Sequence, residues 1–211
     1  MASKGPMRVV VCDPGVGNVR SVVRAVERAT EGRGASVVLS GEPDAVRTAD
    51  AVVVPGQGHF QAFADAMKGG LGEALVEAIR AGKPYVGICL GMQVLFDTSD
   101  EAPGARGLGV FRGHVARLDP GVDPVTARPR ALPHIGWNVV EGPAVPSSRH
   151  FYFAHSYVVI ADDLSLVAGT TEYGARFASA VAKDAVLGVQ FHPEKSQRSG
   201  IELLTRFFGG A

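Results

Sequence analysis

Residues 83–96, KPYVGICLGMQVLF, constrain the fold of this chain more than any other stretch. The apolar run Tyr85-Val86-Gly87-Ile88 has strand character and ends on Cys89, and Leu90-Gly91-Met92-Gln93-Val94-Leu95-Phe96 reads as the start of a helix. A strand that turns straight into a helix pushes the side chain at the turn outward. So tight a turn needs glycine on both sides, here Gly87 and Gly91. A cysteine in that position has the placement of a nucleophile, and the free N–H groups at a helix start favour thiolate over thiol. A buried structural cysteine also fits this stretch taken alone.

The surrounding pattern tells which sheet the turn belongs to. Met7 to Cys12 is a β-branched run closed by Asp13-Pro14-Gly15 and reads as a buried first strand, with Cys12 as core packing. Val19, Val22, Val23 and Val26 then recur at helical spacing, with Arg20, Arg24, Glu27 and Arg28 on the polar face. The glycines of the intervening turn, Gly15 and Gly17, do not complete a dinucleotide fingerprint, because Arg20 stands where the third glycine belongs. Ala35 to Leu39 and Ala51 to Val54 are the next strands, and residues 60–81 read as helix interrupted near Gly69-Gly70. Strands alternating with helices predict an α/β fold, an open and mostly parallel sheet with its ligand site at the carboxyl ends of the strands.

Beyond Phe96 the helices thin out. Val110 to Leu118, His134 to Val140, Phe151 to Ile160, Leu166 to Thr171, Phe177 to Lys183 and Val186 to Phe191 read as successive strands, and Asp119 to Pro133 as a loop or hairpin excursion. That run predicts an antiparallel sheet attached to the parallel one. Residues 198–208 close the chain as an amphipathic helix with Ile201, Leu204, Phe207 and Phe208 inward. Residues 1–6 are expected to be a tail and 7–211 a single domain.

Composition excludes several classes. Twenty-one basic and twenty-one acidic residues leave no net charge, which speaks against nucleic acid or an anionic membrane as partner. Two cysteines make no disulfide framework and fit a reducing, cytoplasmic setting. No Cys/His cluster has zinc spacing, so neither a metal nor a cofactor is expected.

A thiolate nucleophile needs a base to carry its proton, and the base needs an orienting acceptor. His59, His114 and His150 stand in loop or strand-edge contexts. His192 instead ends the apolar strand Val186 to Phe191 and is followed by Pro193 and Glu194, which can turn back on the imidazole. A solvated turn is the alternative for this tripeptide. Pro55-Gly56-Gln57-Gly58 is compatible with an oxyanion hole made of backbone amides and equally with a plain strand-ending turn.

Taken together, GICLGMQ at 87–93 and GVQFHPEKS at 188–196 resemble the class I, triad-type glutamine amidotransferases. The stretches at 13–22, 54–60, 134–138 and 151–157 narrow the resemblance to glutaminase subunits that work beside a (β/α)8-barrel cyclase in imidazole glycerol phosphate synthases of histidine biosynthesis. The resemblance implies a flavodoxin-like fold and a catalytic set of Cys89, His192 and Glu194. It implies oxyanion donors at Leu90 and in Gly56–Gln57, and glutamine binding by Gly58, Gln93, Ser156 and Tyr157. It also implies a heterodimer with the cyclase, docked through Gly15, Asn18, Arg20, Trp137, Asn138 and Lys195, with ammonia passing between the subunits. Trp137 fits a core position as well as an interface. Two residues depart from the family pattern, which usually has tyrosine at the place of Pro14 and valine at that of Gln57.

Glutamine hydrolysed without an acceptor is wasted, so the Gly56–Gln57 peptide is expected to complete the oxyanion hole only when the partner is bound. Three other readings compete: an amidotransferase serving another acceptor such as chorismate, a cysteine peptidase or other thiol hydrolase, and a silent scaffold. Partner capture, peptide hydrolysis and alkylation by a glutamine-analogue electrophile, respectively, separate them from the first.

Overall fold

The computed structural model describes residues 6–13, 15 and 19–210, without the side chains of 146–148. Pro14, Asn18 and nearly all of the expected tail fall outside these residues.

Five strands form the parallel half: β1 (Met7–Cys12), β2 (Ala35–Ser40), β3 (Ala51–Gly56), β4 (Tyr85–Cys89) and, from the far end of the chain, β12 (Val186–Val189). Their order is β2-β1-β3-β4-β12. The burial of both sheet faces explains why β1 and β3 each carry three consecutive valines. Val10, Cys12, Val52 and Val54 face one hydrophobic layer, while Val9, Val11, Ala51 and Val53 face the other. Strands covered on both faces lose the polar–apolar alternation and become continuous apolar runs. Helices α1 (Val19–Ala29) and α6 (Gln197–Gly209) pack with the second layer. Helices α2 (Pro43–Thr48), α3 (Phe60–Ala66) and α4 (Leu71–Arg80) lie with the first. The break between α3 and α4 falls at Gly69 and Gly70, both at positive φ, as the sequence predicts.

The sheet continues antiparallel from β12 through β11 (Ala175–Lys183), β10 (Val167–Tyr173), β7 (His134–Gly142) and β8 (Val145–His155). A side branch joins β5 (Thr98–Ser99), β6 (Gly113–Arg117) and β9 (Tyr157–Ala161), the last pairing with β6 and β11. The mixed sheet matches the expected architecture. No described helix is long and apolar enough to cross a membrane.

Three local expectations need correction. The helix after Cys89 is only α5 (Leu90–Gln93) and does not run to Phe96. Residues 107–111 capture the next carbonyls: Leu108 N–H donates to Val94 O at 2.6 Å and Phe111 N–H to Leu95 O at 2.9 Å. Phe151 to Ile160 is two strands, because the chain leaves β7 at His155 and crosses at Ser156 to pair with β6. In α6 the fully buried side chains are Leu203, Leu204 and Phe208, with Ile201 and Phe207 at the margin. Helix α2, six residues long, is too short to carry a periodic signal.

Candidate active site

Parallel pairing gathers the functional turns on one edge. In the register, Gly56 stands opposite Cys89 across β3–β4, and Val189 opposite Ile88 across β12–β4. The carboxyl ends of three neighbouring strands thus deliver the Gly56–Gly58 turn, Cys89, and the segment Gln190-Phe191-His192 to the same place.

The elbow is built by exclusion. Cys89 has φ 54° and ψ −107°, a conformation that L residues rarely adopt. A Cβ at Gly87 would lie 2.3 Å from the Gly91 carbonyl oxygen, and one at Gly91 only 1.9 Å from that of Val54. At Gly56 a Cβ would meet Leu90 Cβ at 2.5 Å. Gly56 is therefore required for close approach of β3 to the elbow. The positive φ in this turn belongs to Gly58, at 110° with open space around it. The Tyr85 hydroxyl, buried at the start of β4, donates to the Gly91 carbonyl at 2.9 Å and ties the two ends of the elbow together.

Cys89 lines a cavity of about 220 Å³ together with Gln57, Gly58, Leu90, Gln93, Ser156, Tyr157, His192 and Lys195. The side chain of His192 is 2% exposed. Its Nδ1 donates to Glu194 Oε1 at 2.8 Å, which leaves Nε2 for the other side of the ring. Burial works against the charged imidazole. The contacts with Cys89 and then Glu194 outweigh it and raise His192 to about 9. The second oxygen of Glu194 is buried and has no partner among the described residues. An acceptor so little compensated favours the imidazolium beside it. Cys12, by contrast, is pushed up to about 12, by burial and then by Asp13, and remains an inert thiol in the core.

The cavity wall carries polar groups with defined orientation. Gln93 Nε2 donates to the Tyr157 carbonyl at 3.2 Å and to Gln190 Oε1 at 3.0 Å, so both of its N–H groups are committed and its oxygen is the free end. Of the residues expected at the partner face, Trp137 is 47% exposed and so does not occupy the core. It meets Tyr152 edge to face at 6.2 Å, and Lys195 Nζ lies 5.9 Å from the same tyrosine ring. Gly15 and Arg20 are exposed, α1 packs against the 193–195 turn, and Asn18 lies outside the described residues. Asn138 is half-buried, and its amide reaches His134 Nε2 at 3.3 Å and the Glu172 carbonyl at 2.9 Å.

Sequence reasoning missed Glu101 and His155, which also line the cavity. Glu101 accepts the Phe60 N–H at 2.8 Å. It comes from a polar, glycine-rich loop with no local signal. His155 donates from Nδ1 to the Tyr157 carbonyl at 3.0 Å and accepts at Nε2 from His134 Nδ1 at 3.0 Å. His59, His114 and His150 do not line the cavity. No group of His, Cys, Asp or Glu able to hold a metal occurs among the described residues.

A buried thiol, an imidazole held by a carboxylate, and a turn of backbone amides opposite the thiol can together perform acyl transfer at an amide. Known proteins agree with that chemistry. Residues 10–210 match the family described as glutamine amidotransferase class-I. The chain is 38% identical over 210 residues to "Imidazole glycerol phosphate synthase subunit HisH" of Pyrococcus furiosus, covering 95% of this chain and 97% of that one. It is 41% identical over 208 residues to the protein of the same name from Nitrosomonas europaea, covering 94% and 96%. Among solved structures, one titled as a glutamine amidotransferase superimposes with a TM-score of 0.73 at 19% identity, over 96% of this chain and 99% of the other, which shows the shared fold. Match length, relatedness and the contents of the cavity lead to one assignment: the chain belongs to the class-I glutamine amidotransferase family.

Proposed function

We propose that this chain is the glutaminase subunit of an imidazole glycerol phosphate synthase, and that it hydrolyses glutamine at Cys89 and passes the ammonia to a (β/α)8-barrel cyclase. The observation that carries the reading is the meeting of Cys89 and the Glu194-bound imidazole of His192 in one cavity, from positions a hundred residues apart. The common name of relatives about 40% identical along nearly their full length supports the acceptor and the partner.

In this reading the sulfur of Cys89 attacks the side-chain amide carbon of glutamine. The N–H of Leu90 and one from Gly56–Gln57 take the developing oxyanion. The C–N bond breaks, nitrogen leaves as ammonia with the proton delivered by His192, and a glutamyl thioester remains. His192 then draws a proton from water, whose attack releases glutamate and restores the sulfur. Glu194 keeps the imidazole oriented throughout. The free oxygen of Gln93 and the carboxylate of Glu101 suit the substrate's ammonium group, while Gly58 and the backbone of Ser156 and Tyr157 suit its carboxylate.

The cyclase would dock over the cavity mouth, on Trp137, Asn138, Lys195, Arg20 and the turn at Gly15 and Asn18. The exposure of Trp137 beside Tyr152 and Lys195 supports that face. Residues 7–211 would act as one domain in the cytoplasm, where the free thiols of Cys12 and Cys89 persist.

Glutaminase assay with and without the barrel cyclase and its ligand tests the proposal. Low activity alone and strong stimulation in the complex are expected, because one missing oxyanion donor costs roughly 100- to 1,000-fold. Hydrolysis of peptides but not glutamine, or no ammonia transfer to the cyclase, would overturn it.

A further inference from the structure

Gln190 is the third residue of GVQFHPEKS and the first beyond β12. It follows Val189, whose register partner is Ile88, so it stands beside Cys89 on the next strand. Its backbone N–H is held by the Ser179 carbonyl at 2.9 Å, and the residue is fully buried. Gln190 Nε2 lies 3.4 Å from Cys89 Sγ.

The direction of that contact follows from its neighbours. The Tyr157 carbonyl can only accept, so the Gln93 atom facing it at 3.2 Å is the amide nitrogen. The same nitrogen lies 3.0 Å from the Gln190 side chain and requires an acceptor there, namely Oε1. Gln190 must then turn its N–H groups toward the sulfur. A chain of amides that starts at a backbone carbonyl thus ends in a donor aimed at Sγ. Any proton on the thiol has to point elsewhere, toward the imidazole of His192.

We propose that Gln190 is a further catalytic residue, a neutral N–H donor that holds the Cys89 sulfur in place and stabilises its anionic form. The proposal deepens the glutaminase reading and rests on it. A neutral donor suits the role. It favours the thiolate without adding a positive charge that would repel the imidazolium held by Glu194, and a hydrogen bond to a charged acceptor is stronger than one between neutral groups. Because Oε1 of the same carboxamide receives Gln93, the donor to the nucleophile and the residue facing the substrate are aligned by one side chain.

Two variants separate these functions. Gln190→Glu keeps an oxygen for Gln93 and, when ionised, offers the sulfur no donor, whereas Gln190→Leu loses both donor and acceptor. In the full chain, the iodoacetamide alkylation rate at Cys89 is followed against pH, with the modified peptide identified by mass spectrometry. Turnover is measured in the complex with the cyclase. Both variants should lose at least about tenfold in alkylation rate near neutral pH, with the profile displaced to higher pH. Gln190→Glu should lower kcat with little change in KM, and Gln190→Leu should also raise KM. Superimposable alkylation profiles for Gln190→Leu and the parent overturn the proposal.

Should both variants fail to fold in thermal melts, the parent decides. The side-chain amide proton resonances of Gln190 are expected to move when Cys89 is alkylated, and unchanged resonances overturn the proposal. Absence of glutamine turnover in the parent complex would instead refute the glutaminase reading, a result independent of the alkylation profiles.

Discussion

The backbone N–H of His192 donates to the Tyr152 carbonyl at 2.8 Å, so the imidazole hangs from strand β8 as well as from the end of β12. Ser196 closes the arrangement: its hydroxyl donates to the His192 carbonyl at 2.6 Å and accepts the Tyr152 N–H at 3.0 Å. Tyr152 in turn carries Trp137 and Lys195 against its ring. The surface proposed for the partner and the proposed base therefore share one strand and one serine. This offers a short mechanical route by which docking can adjust His192 without a change in fold.

Ser196→Ala should expose that dependence. It removes one of the two hydrogen bonds to the buried His192 carbonyl, which keeps the Lys195 N–H at 3.0 Å, and the acceptor of the half-buried Tyr152 N–H, a loss of about 1–2 kcal/mol in stability. With His192 less firmly placed, kcat should fall while KM for glutamine stays near the parent value. Thermal melts and steady-state kinetics of the complex check both, and unchanged kcat with lowered stability would reduce Ser196 to a structural role.

The raised titration of His192 also predicts how stability varies with pH. Its value of about 9 in the folded chain lies above the ordinary 6.5 of an unfolded histidine. The stabilisation from the charged form is therefore complete below about pH 6.5 and is lost as pH climbs through about 9. Denaturant unfolding of the parent and of His192→Asn across pH 6 to 10 should show a stability difference that shrinks upward, with a slope of no more than about 1.4 kcal/mol per pH unit. A difference that grows with pH would contradict the proposed charge state.

Buried histidines β7 and β8 bring together should act in the opposite sense. His134 is lowered to about 4 by burial, and His155 to about 3 by burial and then by His134. His134 stacks between Phe153 at 4.8 Å and Tyr173 at 4.1 Å, and the charges that act against a proton on His155 are those of His134 and His192. The unfolded chain binds protons at these sites that the folded one refuses, so stability falls as pH drops below about 6.5 and keeps falling toward about 4 for His134 and about 3 for His155. Each histidine contributes a slope of about 1.4 kcal/mol per pH unit. His134→Gln with His155→Gln should flatten this acid limb in unfolding titrations, even where it lowers stability at neutral pH.

Much of the geometry was legible because it rests on local chemistry. Gly87 and Gly91 mark the elbow since no Cβ fits there, and the valine runs of β1 and β3 mark strands covered on both faces. His192-Pro193-Glu194 announces itself through proximity in the chain. Glu101 and His155 are not legible in the sequence as cavity residues, nor Gln190 as a neighbour of Cys89, because each gains its place from pairings far away in sequence. Gln190 needs the β4–β12 register, His155 the crossing at Ser156, and Glu101 its bond to the Phe60 amide. The length of α5 was misread for the same reason, since residues 107–111 take the carbonyls that would have continued it.

The elbow itself gives the last prediction. Tyr85 and Gly91 hold it by different means, one by a hydrogen bond and the other by the absence of a side chain. Tyr85→Phe leaves the Gly91 carbonyl without the hydroxyl now 2.9 Å away but keeps the ring volume in the core. It should cost about 1–3 kcal/mol and leave a folded chain whose Cys89 still reacts with iodoacetamide. Gly91→Ala places a methyl 1.9 Å from the Val54 carbonyl oxygen, which is backbone in the middle of the sheet edge and cannot swing aside as a side chain would. The strand or the elbow must move, and Cys89 would leave its conformation at φ 54°. That variant should lose Cys89 reactivity out of proportion to any loss of folding. Equal reactivity per folded molecule in Gly91→Ala and the parent would show that the cavity does not depend on this close approach.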